Sequence, residues 1–116
     1  MPKIWTLGHP SRRKQFEYSG DVDNGVTLHF SGNPHISSEF FQAILNEFRG
    51  RAIKGGFSMT DPISGGLGEW IQNNSNHLNP VSLTPRHGSF IAAILVDEGL
   101  ITSNLVGHRV YLNFPK

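Results

Sequence analysis

The chain has 116 residues, of which 37 % are hydrophobic and 10 % aromatic, enough apolar side chain for one domain with its own core and too little length for two. Ten Lys and Arg against nine Asp and Glu leave a formal charge of +1, which argues against a histone-like or polybasic nucleic-acid binder. The absence of cysteine excludes a disulfide scaffold, a thiolate zinc site, a cysteine nucleophile and thiol redox chemistry.

No apolar run approaches the length of about 18 residues that spans a bilayer. Met1–Pro10 also lacks the basic-then-apolar order of a signal peptide. The expectation is a soluble, cytoplasmic protein without membrane contact.

Ile4, Trp5 and Leu7 make a short apolar strand that the turn chemistry of Gly8-His9-Pro10-Ser11 ends. Phe16 and Tyr18 then alternate with Gln15 and Glu17, and Val26, Leu28 and Phe30 alternate with Thr27 and His29. With Asp, Asn and Gly in the 19–25 connection, the pattern predicts an antiparallel hairpin.

Ile36, Phe40, Phe41, Ile44, Leu45 and Phe48 fall on one face at spacings of three and four, which predicts a helix over 38–49. Ser37 and Ser38 are both able N-caps, Ile36 is placed as a hydrophobic staple, and Gly50 stops the helix after Arg49.

Residues 55–68 hold five of the thirteen glycines and read as a long irregular loop. Only Leu67, Trp70 and Ile71 suggest a short helix beyond it, and the Asn-rich stretch Asn73–Pro80 reads as an exposed connection. A second helix is predicted over 85–98, with Thr84 as N-cap, Pro85 in the first turn, and Gly99 and Leu100 as a Schellman-type ending. Phe90 to Val96 leave it almost no polar face, so it belongs in the middle of the domain or in a subunit interface. A homo-oligomer is expected on that ground.

Val110, Leu112 and Phe114 alternate with Arg109, Tyr111 and Asn113, forming a last strand for Leu100–Thr102 to pair with. This order predicts a single α+β domain over 1–116. Its sheet is mostly antiparallel, built from the N-terminal and C-terminal hairpins and packed on the two main helices, 38–49 and 85–98.

The glycine stretch has no Gly-Lys-Ser or Gly-Lys-Thr, and Gly66-Leu67-Gly68 lacks the third glycine of a dinucleotide fingerprint. There is no Gly-x-Ser-x-Gly elbow and no His-Glu-x-x-His pair, and the six histidines are scattered. No cofactor, metal or catalytic residue is assigned.

Three sets of residues remain as binding candidates. Thr84-Pro85-Arg86-His87-Gly88-Ser89 puts unpaired amides at a helix start beside a guanidinium, an imidazole and a hydroxyl, which suits a small anionic ligand. Thr60, Asp61 and Trp70 sit in or beside the glycine loop, where Asp61 offers a general base and loop and helix start together would form a pocket. Basic residues cluster at Arg12-Arg13-Lys14, at Arg49, Arg51 and Lys54, and at Arg86 with His108 and Arg109.

Residues 85–114 resemble the end of a winged helix-turn-helix domain of the multiple-antibiotic-resistance regulator type. Gly99-Leu100-Ile101 stands where the recognition helix ends, and Arg109-Val110-Tyr111-Leu112 stands in the wing. The resemblance implies contact with DNA through Arg86 and Ser89 on the helix and Arg109 on the wing. Against it, Asp97 and Glu98 on the same helix would repel phosphate. Three classes of function stay open, of which two are a nucleic-acid-binding module, and a small-molecule or anion-binding protein or enzyme using loop 55–68 and the 84–89 helix start. A homodimeric interaction domain is the third.

Overall fold

Two antiparallel sheets and three helices enclose one apolar core in the computed structural model, which describes residues 3–7, 14–30, 32–57, 63–106 and 109–116. The α+β class predicted from the sequence is the class observed.

The first sheet runs β1 (Lys3–Trp5), β2 (Gln15–Asp21), β3 (Gly25–Leu28) and β4 (His35–Ile36) in that spatial order. The predicted hairpin is its centre, with a tighter turn than expected because Asp21 pairs with Gly25. The Asn24 amide donates to Asp21 Oδ1 at 2.8 Å, and Gly25 takes φ +95°, a left-handed value that glycine adopts without a Cβ clash. Phe16, Tyr18, Val26, Leu28 and Ile36 point into the core. On the outer face, His35 Nδ1 lies 3.1 Å from the Thr27 hydroxyl and His29 Nε2 2.9 Å from that of Ser19. Two of the scattered histidines thus serve as cross-strand hydrogen-bond partners.

Helix α1 (Ser38–Glu47) starts as predicted: Ser37 Oγ accepts from the Phe40 amide at 3.1 Å, and Phe40, Phe41 and Ile44 are fully buried. It ends two residues early, with Phe48 as its cap and Gly50 left-handed at φ +73°. The three-residue β5 (Ala52–Lys54) follows, too short for alternation to announce it.

Helix α2 (Leu67–Leu78) corrects the reading of Asn73–Pro80 as an exposed connection. Leu67, Ile71 and Ser75, four residues apart, form a buried stripe, so Asn73 and Asn76 fall on the solvent side of a continuous helix.

A single 3₁₀ turn, Pro85–His87, leads into α3 (Gly88–Asp97). The predicted ending is present in full: Leu100 N–H donates to Leu95 C=O at 2.9 Å and Gly99 N–H to Val96 C=O at 3.0 Å, with Gly99 at φ +75°. The last hairpin pairs β6 (Thr102–Val106) with β7 (Arg109–Asn113). Pairing therefore begins at Thr102, where the sequence suggested it would end. β5 pairs with the other side of β7, giving the order β5-β7-β6. Among the described residues no helix is long and apolar enough to cross a membrane.

Candidate functional site

At the described ends of the glycine loop, glycines let backbone segments cross closely. The Gly68 amide donates to Gly55 C=O at 2.8 Å, and the Gly65 amide donates to Glu69 Oε1 at 3.1 Å. A Cβ on Gly66 would lie 2.9 Å from the Lys54 carbonyl oxygen, and one on Gly88 would lie 2.7 Å from the Phe57 ring. The chain's own acceptors thus take these amides at the start of α2, and Phe57 fills the space against the start of α3. Trp70 packs between Phe40 and Phe48, with ring centroids 5.5 and 6.0 Å away. Thr60 and Asp61 lie outside the described residues.

At the 84–89 helix start, the Thr84 amide donates to His87 Nδ1 at 3.0 Å and the Ser89 hydroxyl donates to Arg86 C=O at 3.1 Å. The Thr84 side chain accepts from the His87 backbone in return, closing a capping box in which histidine plays the part usual for Glu or Gln, and the His87 amide also donates to Thr84 C=O at 3.0 Å within the 3₁₀ turn. His87 and Ser89 therefore bind their own backbone, and Arg86 is the exposed cation beside them. Burial holds the His87 imidazole below its ordinary pKa.

The capping role has a measurable consequence. Because the folded-state pKa of His87 is depressed, its contribution to stability is present above the ordinary imidazole range, near pH 6.5, and is lost as the pH falls through that range toward the folded value. Protonation also removes the lone pair that accepts the Thr84 amide. Thermal unfolding of wild type and His87→Ala between pH 8 and 5 should show the variant about 1 kcal/mol less stable at high pH. The gap should close on acidification, and a gap independent of pH contradicts the assignment.

Helix α3 packs at both ends against the first sheet and the segments that join its strands. Leu7 N–H reaches Ser89 C=O at 3.5 Å, and the rings of Phe16 and Phe30 each lie 4.8 Å from that of Phe90. At the other end Tyr18 OH donates to Asp97 Oδ2 at 2.8 Å, while the Val22 amide donates to both Glu98 oxygens at 3.1 and 3.2 Å. Burial, the Asp97 hydrogen bond and nearby carboxylates raise the Tyr18 phenol far above its usual pKa. Burial also raises Glu98, with Asp21, Asp23 and Asp97 adding repulsion that the Val22 amide partly offsets. The apolar girth that suggested a subunit interface is thus absorbed within the chain.

Arg12, Arg13 and His108 lie outside the described residues, and the basic residues of the β5 and β7 region divide. Arg49 Nη2 donates to Asn46 Oδ1 at 2.8 Å, and the Arg51 guanidinium sits 5.4 Å from the Phe48 ring centre and 3.8 Å from Glu47. Both are drawn to the end of α1. Lys54 and Arg109 instead share the outward face of the small sheet. Side chains alternate along a strand; Ile53 and Leu112, paired with each other, point inward. The next row, Lys54 opposite Tyr111 opposite Asn104, therefore points outward, as does Arg109 opposite Val106. The row of Ala52, Asn113 and Thr102 completes the face, and Asn113 Nδ2 reaches Asn104 Oδ1 at 3.5 Å. None of these outward side chains is a carboxylate.

Tyr111 and Asn104 were not singled out from sequence. The alternation around Val110 and Leu112 does put Tyr111 on the polar side of its strand, but the partner of that strand is invisible in it. Comparison with protein-family models, with curated proteins and with solved structures finds no match to this chain.

Proposed function

We propose that the chain is a nucleic-acid-binding module of winged-helix type that grips sugar-phosphate backbone with the outward face of β5-β7-β6. The observation that carries this reading is the strand register, which sets Lys54 and Arg109 on one face that carries no carboxylate. The succession α2, α3 and the β6–β7 hairpin supports it, being two helices followed by a two-stranded wing.

Helix α3 does not act as a groove reader in this proposal. The first sheet and its connecting segments contact Ser89, Phe90, Asp97 and Glu98, and Arg86 is an exposed cation in the 3₁₀ turn that precedes the helix. Contacts to phosphate position a protein without reading bases, so binding should be weakly dependent on sequence.

The test is fluorescence anisotropy of a labelled mixed-sequence oligonucleotide, as a duplex and as either strand alone, at about 50 and about 200 mM salt. Two phosphate contacts predict roughly a ten-fold loss of affinity over that range. Lys54→Ala with Arg109→Ala should weaken binding and flatten the salt dependence, whereas Arg49→Ala should leave both nearly unchanged. Flat titrations of every probe at micromolar protein would overturn the proposal.

A further inference from the structure

The same face carries a group that a phosphate grip does not need. Tyr111 lies in the middle of the outward row, flanked by Lys54 on β5 and Asn104 on β6. Its side chain is partly exposed, and among the described residues no side-chain hydrogen bond or aromatic contact engages it. Buried aromatic rings elsewhere in the chain pack against each other, as Phe40 does with Trp70 and Phe48 with Phe114. Tyr111 therefore presents a π-surface outward, with a cation beside it across the sheet and another, Arg109, two residues along the same strand.

We infer that the occupant of this face is single-stranded nucleic acid, with one base stacked on Tyr111 while Lys54 and Arg109 hold the flanking phosphates. The inference rests on the nucleic-acid reading above and narrows it to a strand type.

Three features favour a single strand over a duplex. A ring can stack only on a base whose face is free, and in a duplex those faces are taken by neighbouring base pairs. The cations of the face complement a polyanion of either kind, because no outward side chain of the three strands is acidic. The amides of Asn104 and Asn113 stand beside the ring, where they can donate to and accept from the edge of a stacked base. The helix that would enter a major groove is meanwhile packed at both ends against the first sheet.

The experiment titrates the full chain against labelled 20-nucleotide (dT) and (U) strands and a 20-base-pair mixed-sequence duplex at about 50 mM salt. It is repeated with Tyr111→Phe and Tyr111→Leu, and with Lys54→Ala and Arg109→Ala combined, and thermal unfolding confirms that each variant is folded. Either single strand should bind more tightly than the duplex. Tyr111→Phe keeps the ring and should stay within about three-fold of wild type, whereas Tyr111→Leu keeps bulk without a π-face and should lose roughly five-fold or more.

A duplex bound as tightly as the strands, or a Tyr111→Leu protein that binds single strands like wild type, would overturn the inference. If the Lys54 and Arg109 variant still weakened binding in that case, the broader nucleic-acid reading would survive. No binding of strand or duplex would overturn both.

Discussion

Gly68→Ala should destabilise the protein by about 3 kcal/mol, lowering its unfolding midpoint by roughly 10 °C. The sign is the informative part. Gly68 is the second residue of α2, and helix propensity alone makes alanine more favourable there by about 1 kcal/mol. A Cβ at this position, however, would collide with the carbonyl oxygen of Gly56 and lie 3.1 Å from Pro85 Cβ. A backbone oxygen cannot swing aside as the end of a long side chain can, so the crossing must open. That would also strain the 2.8 Å bond from the Gly68 amide to Gly55. Gly99→Ala is the control, because nothing lies within 4 Å of its added Cβ and only its φ of +75° is unfavourable. It should cost about 1 kcal/mol. Urea denaturation followed by circular dichroism distinguishes the two, and a neutral or stabilising Gly68→Ala would show that loop 55–57 does not cross α2 so closely.

Asn79→Ala should cost a similar amount by a different route. Asn79 is 8 % exposed and serves three backbone groups at once. Its Oδ1 accepts from the Ser37 amide at 2.8 Å, and its Nδ2 donates to the carbonyls of His35 and Val81, each at 2.9 Å. Alanine leaves one donor and two acceptors without a partner at a site where water enters poorly. Each such group costs about 1–3 kcal/mol, reduced by whatever hydration relaxation allows, for a net loss of about 3 kcal/mol. Asn79→Asp should not rescue, since it keeps the acceptor for Ser37 but sets a carboxylate against two carbonyl oxygens. Asn73→Ala on the exposed face of α2 should be neutral or slightly stabilising. If Asn79→Ala melted within a degree or two of wild type, the tie between the β4–α1 junction and the end of α2 would be refuted.

The Asn-rich segment also marks a boundary of what can be read from the chain. Asparagine at 73, 74, 76 and 79 looks like loop because each competes for backbone hydrogen bonds. In the fold these residues have different roles. Asn73 and Asn76 face solvent, Asn74 Nδ2 donates back to Trp70 C=O at 2.8 Å, and Asn79 is the buried tie after the helix. Ser75, equally polar, is 1 % exposed and exchanges hydrogen bonds with both backbone groups of Leu83, at 2.7 and 3.1 Å. Composition cannot separate these roles, since they depend on which side of α2 meets the core.

The parts of this protein determined by the sequence itself lie within about one helical turn of the residues that encode them. The Ser37 cap, the Phe40–Phe41–Ile44 stripe, the Gly99 ending of α3 and the Asp21–Gly25 turn all rest on contacts five or fewer residues apart. Tertiary structure alone decided the rest. It recruited β5 by giving Ile53 a partner in Leu112, let a buried stripe carry α2 through its asparagines, and laid the first sheet over α3 through Tyr18 and Asp97. It also set Lys54 opposite Tyr111, 57 positions further along the chain, and thereby made the candidate binding face. Periodicity records which side of an element is apolar. It carries no record of where the chain returns, and the pairing of distant strands is fixed only when the whole core closes.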